Sequence, residues 1–203
     1  MKQTGIVMPG YRVNDYILIL NPPTELSNRL SAIREEFQKE FRAPAIPGKA
    51  NLLLCSFTHY AMMEERIINN LHRIAMGYPP FKVEVKDFGS FPSHTIYFNV
   101  TSKVPVQALV KKIRTETQSL MKFDDDNKPY FSLEPHFVLG RKLKPWQYEK
   151  AWLKYSHSHF TGRFIASEMM LLKREKDSGQ PWQVAKHFIF ENLPVETKQG
   201  QLF

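Results

Sequence analysis

Histidine is the side chain best suited to moving a proton near neutral pH, because its ordinary pKa lies close to ~6.5. Of the seven in this chain, His136 stands in an apolar run, Pro135-His-Phe-Val-Leu-Gly-Arg141, that reads as a strand. Arg141 and Lys142 follow at once, and cations at a strand end can clasp a phosphate through charge-assisted hydrogen bonds. The plain alternative is a satisfied core imidazole beside two solvated charges. His157-Ser-His159 offers two imidazoles but no Asp, Glu or Cys close by to complete a metal set. Asp124-Asp-Asp126 lacks the glycine and distal glutamate of a calcium loop. The sequence therefore predicts no metal and no other cofactor. Cys55, the single cysteine, can neither form an internal disulfide nor build a thiolate zinc site. A glycine-rich phosphate loop and a nucleophile elbow are both missing from the sequence.

Such residues act only if secondary structure places them. Asp15 to Leu20 is a compact apolar run stopped by Asn21-Pro22-Pro23, which predicts a buried strand. Leu26, Leu30, Ile33, Phe37 and Phe41 then fall at helical spacing and leave Glu25, Arg34, Glu35, Lys39 and Glu40 to solvent. After Ala43-Pro-Ala-Ile-Pro-Gly48, a second buried strand covers Asn51 to Phe57, and a helix runs from about Met62 to Met76. Phe81 to Asp87 alternates apolar and charged residues, as a strand with one wet face does, and pairs with His94 to Val100 across a turn at Gly89 to Ser93. A third helix is predicted from Pro105 to about Met121, and a strand from Leu133 to Arg141 carries His136. Pro145 opens a fourth helix to about Tyr155, whose Trp146, Trp152 and Tyr155 are read as core. Phe160 to Arg174 and Trp182 to Phe190 close the chain as two long strands.

Composition bounds the remaining possibilities. With 203 residues, 42% hydrophobic and 24% charged, the chain has enough apolar area to offset its ordering entropy, so disordered and low-complexity classes are excluded. No apolar run approaches the ~18–20 residues that span a bilayer, and Met1 to Asp15 lacks the apolar stretch of a secretory signal. A cytoplasmic protein without membrane association is expected. An excess of 28 Lys and Arg over 20 Asp and Glu, a net charge of +8, favours phosphate-bearing partners.

The element order predicts an α+β fold of two pseudo-symmetric lobes, with antiparallel sheets around a central cleft and helices packed outside, residues 1–203 forming one two-lobed domain. The strand beginning at Asn51 and the strand carrying His136 are each followed by a helix and two strands, so each holds the same place in its own half.

This order, together with Asn51-Leu-Leu-Leu54, the Pro80-Phe81 strand leading to Phe88-Gly-Ser-Phe-Pro92, and Pro135-His-Phe-Val-Leu-Gly-Arg141, resembles the two-histidine phosphoesterases, which include 2'-5' RNA ligases and cyclic phosphodiesterases. The resemblance implies a His-x-Thr or His-x-Ser pair on one strand of each half, histidine and hydroxyl pointing the same way into the cleft. One histidine would take a proton, the other would give one, and the hydroxyls would hold the phosphate oxygens. Carried over by position, Asn51 replaces the first histidine, Leu53 the first hydroxyl and Val138 the second, while His136 is kept. His159-Phe160-Thr161 and Ser56-Phe57-Thr58 are set aside, the first for its place at a helix-to-strand junction, the second because its strand is expected to be leaving the sheet there.

The resulting expectation is a 2'-5' RNA ligase or cyclic phosphodiesterase-like protein with a degraded site, binding RNA ends or nucleotide phosphates with little or no catalysis. His136 and Asn51 would be its polar contacts and Arg141 and Lys142 its phosphate ligands. The alternatives are an active phosphodiesterase or ligase using substituted residues, and a protein-interaction module on the same fold whose protein partner the sequence does not name.

Overall fold

The computed structural model describes residues 11–194. Among them, the strands and helices in chain order are β1 (Val13–Leu20), α1 (Thr24–Phe41), β2 (Leu52–Tyr60), α2 (Glu64–Met76), β3 (Phe81–Phe91), β4 (Thr95–Val100), α3 (Lys103–Met121), β5 (Tyr130–Phe131), β6 (His136–Gly140), α4 (Pro145–Tyr155), β7 (Thr161–Ala166), β8 (Glu168–Glu175) and β9 (Gln183–Ile189). No helix among the described residues is long and apolar enough to cross a membrane.

The strands form two antiparallel sheets, ordered β5-β2-β1-β8-β9 and β6-β4-β3-β7. The α+β class with two related halves is thus observed. In one half β1 and β2 pair across α1; in the other β4 and β6 pair across α3. The helices are exchanged: α1 and α4 pack on the β6 and β4 side, whereas α3 packs with α2 on the β2 side. Leu18, Leu20, Leu52 and Leu54 are buried against Ile67, Leu71, Val106 and Val110, while Phe37, Phe137 and Leu139 fill the other half, all in one hydrophobic cluster. The two sheets consequently share a core, and their uncovered faces meet along a cleft.

Local chemistry sets the ends of these elements. Arg42 adopts a left-handed conformation (φ 49°) that stops α1, and Gln147 Nε2 donates to the orphan carbonyls of Phe41 and Arg42 at 3.0 and 2.8 Å. Pro145 opens α4, with Gln147 Oε1 accepting from the Lys144 amide at 2.8 Å.

Several expectations need correction. Phe160 to Arg174 is not one strand: the chain leaves one sheet after Ala166 and enters the other at Glu168. The strand expected over Leu133 to Arg141 is shorter, His136–Gly140 alone pairing with β4, and the short β5 before it joins β2 in the other sheet. The predicted turn at Gly89 to Ser93 is strand as far as Phe91, and the reversal occurs around Ser93, at φ 75°. Trp146 stands out in solvent, although Tyr155 is buried as expected. Arg34, assigned to the wet side of α1, is 8% exposed.

Candidate functional site

The cleft is a cavity of about 680 Å³ whose walls come from both sheets, β2 with the preceding 43–51 loop on one side and β6 on the other. A bulge shapes the first wall. Leu18 pairs with Cys55 but Ile19 with Leu53, so Leu54 is the extra residue. Leu54 and Cys55 are consecutively buried, and the alternation resumes in the opposite phase. Residues 51 and 53 before the bulge, and 56 and 58 after it, therefore share one face of the sheet. Ser56 and Thr58 do not leave the sheet as expected; they pair with Ile17 and Asp15 within it. Asn51 lies immediately before β2 and its amide donates to the Lys49 carbonyl at 3.3 Å.

On the opposite wall His136 begins β6, with Val138 two residues on, and both line the cleft while Phe137 and Leu139 turn into the core. The Glu134 carbonyl lies 2.6 Å from His136 Nδ1. A carbonyl can only accept, so Nδ1 carries the proton and Nε2 is left with a free lone pair. Phe91 and Tyr97 flank the imidazole, with ring centroids 5.1 and 4.9 Å away. Gly89 makes room for this cage, because a Cβ there would collide with the Tyr97 ring. Burial holds the His136 pKa below the ordinary histidine value; the Glu134 carbonyl and carboxylate oppose this, and Lys103 adds slightly to it.

Arg34 closes the end of the cleft between the walls. Its Nη1 donates to the Gly48 carbonyl at 3.2 Å and its Nη2 to the Val138 carbonyl at 3.0 Å, so one guanidinium ties the loop before Asn51 to the strand after His136. Its Nε is buried without a partner, and among the described residues it has no ion pair with a carboxylate. Burial first, and the charge of Arg141 second, depress its pKa. Lys49 and Arg141 also line the cleft, as does Arg174, whose guanidinium sits 3.3 Å from Asp15 and 4.5 Å above the Trp182 ring. Thus Arg34, Lys49, Arg141 and Arg174 face the cavity and no Asp or Glu among the described residues lines it.

The structure brings Asn51, Leu53, His136, Val138 and Arg141 to one cavity, but not Lys142. Lys142 adopts a left-handed conformation (φ 54°) in the exposed turn that leads the chain away from β6 toward α4, so its backbone serves the turn. β6 is an edge strand facing β2 from the other sheet, so Asn51 and His136 meet across the cleft and do not lie on adjacent strands of one sheet. His159 lies elsewhere, 88% exposed beside Asp87, and Asp124 uses its carboxylate to accept from the amides of Asp126 and Asn127 at 2.9 and 2.6 Å. Sequence reasoning missed Arg34, Lys49, Arg174 and Trp182. For Arg34 a signal exists: Leu30, Arg34, Phe37 and Phe41 form a helical stripe of their own, all buried.

Comparison with known proteins places this architecture. E. coli LigT in its crystal structure with 3'-AMP superimposes with a TM-score of 0.62 at 13% identity, covering 88% of this chain and 98% of LigT. TT0787 of Thermus thermophilus gives a TM-score of 0.64 at 18% identity, covering 87% and 98%. A curated protein of Geobacillus thermodenitrificans (strain NG80-2), whose name places it among phosphoesterases, is 25% identical over 149 residues, 71% of this chain and 80% of its own length. The model of the 2'-5' RNA ligase superfamily matches residues 22–178, most of the chain. On that match, and with the two-sheet architecture that carries it, the chain belongs to the 2'-5' RNA ligase superfamily.

Proposed function

We propose that the cleft binds the phosphate of a nucleotide or an RNA end and turns it over little or not at all. The observation that carries this reading is the charge of the lining: Arg34, Lys49, Arg141 and Arg174 without a carboxylate among the described residues, around a cavity of about 680 Å³. Cations gathered in a cleft attract anions and hold them by charge-assisted hydrogen bonds. LigT, which shares the fold, has been crystallised with 3'-AMP, ATP and phosphate, and this supports a nucleotide phosphate as the anion.

Low turnover follows from what the walls lack. His136, with Nε2 unprotonated, can accept a proton, but Asn51 opposite it cannot exchange one near neutral pH. Leu53 and Val138, where the family resemblance expects hydroxyls, offer developing charge no donor. A missing general acid or base costs about 10²–10⁴-fold and a missing oxyanion donor about 10²–10³-fold. Asn51 and His136 remain as hydrogen-bonding contacts, with Lys49 and Arg141 as the principal phosphate ligands.

Titration of ribose 5-phosphate and of a short RNA at two salt concentrations tests the reading. RNA binding should weaken with salt at a log–log slope of about 0.7 per phosphate contact, and the double change Lys49→Ala, Arg141→Ala should flatten the slope by about 1.4. Binding that ignores both salt and the double change would overturn it.

A further inference from the structure

The cleft does not end at Arg174. A second cavity of about 380 Å³ continues along the same face of the five-stranded sheet, and Ile17, Tyr130, Arg174 and Trp182 belong to the walls of both. The register explains the continuity. Tyr130 pairs with Ser56, Ser56 with Ile17 and Ile17 with Leu172, so these residues form one row across β5, β2, β1 and β8. Three strand spacings make a trough roughly 14 Å wide, with Tyr130 rising on one side and Trp182 on the other.

The two walls suit flat aromatic ligands. Tyr130 is 56% exposed although it belongs to a paired strand. Trp182 has its ring under the Arg174 guanidinium at 4.5 Å, and Arg174 is itself clamped by Asp15 through Nε and Nη2 at 3.4 and 3.3 Å. This fixes a planar platform that costs little further ordering when a base stacks on it. The second cavity differs from the first in its polar lining. Besides Lys128 it holds Asp15, Ser56, Thr58, Asp126 and Asn127, a set rich in hydrogen-bond acceptors. Thr58 is engaged with Asp15 at 2.9 Å, while the Ser56 hydroxyl has no protein partner among the described residues. Acceptors beside an aromatic wall complement the amino groups of a base and the hydroxyls of a sugar, not another phosphate.

We propose that this second cavity is a nucleoside subsite, so that the ligand is a dinucleotide or longer strand whose phosphate lies in the cationic cleft and whose neighbouring base stacks on the Trp182–Arg174 platform. The proposal rests on the phosphate-binding reading of the cleft and names the substrate class that site takes.

The test compares the dinucleotide pApA with its abasic counterpart, which carries the same two phosphates and no base, measuring affinity calorimetrically and tryptophan fluorescence in parallel. The intact protein should bind pApA more tightly than the abasic dinucleotide by roughly five- to 150-fold, the worth of one stacked base, and pApA should quench fluorescence. Trp182→Ala should bring the ratio of the two affinities close to one, Trp182→Phe should keep most of it, and Tyr130→Ser should lower it in part. Tyr130 is exposed enough that its variant supplies the answer if Trp182→Ala does not fold. A ratio near one in the intact protein, or a ratio that survives both Trp182→Ala and Tyr130→Ser, overturns the subsite while the cleft reading stands. Failure of both ligands to bind removes the cleft reading, and the subsite with it.

Discussion

Replacing Arg34 with methionine probes how the two walls of the cleft are held. The side chain keeps a similar length and apolar stem but loses both bonds, to the carbonyls of Gly48 at 3.2 Å and Val138 at 3.0 Å. Hydrogen bonds from a charged donor contribute about 1.5–3 kcal/mol each, roughly 3–6 kcal/mol together. Against this, the residue is only 8% exposed, its Nε has no partner and Arg141 repels it, so its removal recovers part of a desolvation cost of several kcal/mol. The balance is a net loss of about 1–3 kcal/mol, which for a chain of this size lowers Tm by roughly 2–12 °C. Urea unfolding followed by tryptophan fluorescence measures it. A second signature separates tethering from bulk stability: pyrophosphate should raise the unfolding free energy of the parent protein more than that of the variant. A variant at least as stable as the parent, with the same gain from pyrophosphate, would refute the tether and show that burying the charge costs more than its two bonds return.

Three further outcomes follow from the same geometry. Gly140→Ala drives a Cβ into the Phe37 ring, and Phe37 is fully buried between Phe41 and Tyr155, so overpacking should cost about 1–3 kcal/mol, read as a lower urea midpoint at unchanged m-value. Burial depresses the pKa of both His59 and His136, so the unfolded chain takes up protons near 6.5 where the folded one does not; unfolding free energy should decline as pH falls below that value, and double replacement by glutamine should flatten the decline. The triple change Asn51→His, Leu53→Thr, Val138→Thr should raise cleavage of a 2',3'-cyclic nucleotide by at least about a hundredfold with a bell-shaped pH profile, and His136→Ala in that background should abolish the gain.

How much of this was legible in the sequence differs from element to element. The stripe through Leu26, Leu30, Phe37 and Phe41 and the apolar run ending at Leu20 locate α1 and β1 to within two residues. Period-2 alternation, however, reports which face a residue occupies and not which sheet it joins. Phe160 to Arg174 therefore reads as one strand although it crosses between sheets near Ser167, and the two-residue β5 at Tyr130–Phe131 is too short to show any alternation at all. The bulge at Leu54 inverted the phase of β2, so Ser56 and Thr58 looked like residues at a strand end when they floor the groove. Arg34 reads as solvent-facing by its charge, whereas its spacing with Leu30, Phe37 and Phe41 places it on the buried face. Trp182 and Arg174 gave no sequence signal, since their stacking depends on how β8 and β9 close around the turn at 176–181.

On the function proposed above, the cationic cleft would hold an RNA end without processing it. A short RNA ending in a 2',3'-cyclic phosphate, held at saturation with the purified protein and analysed by mass spectrometry over hours, tests it most directly. The RNA should be retained by the protein and recovered with its cyclic end intact. Conversion of many RNA molecules per protein molecule, lost on His136→Ala, would contradict it and establish an active phosphodiesterase.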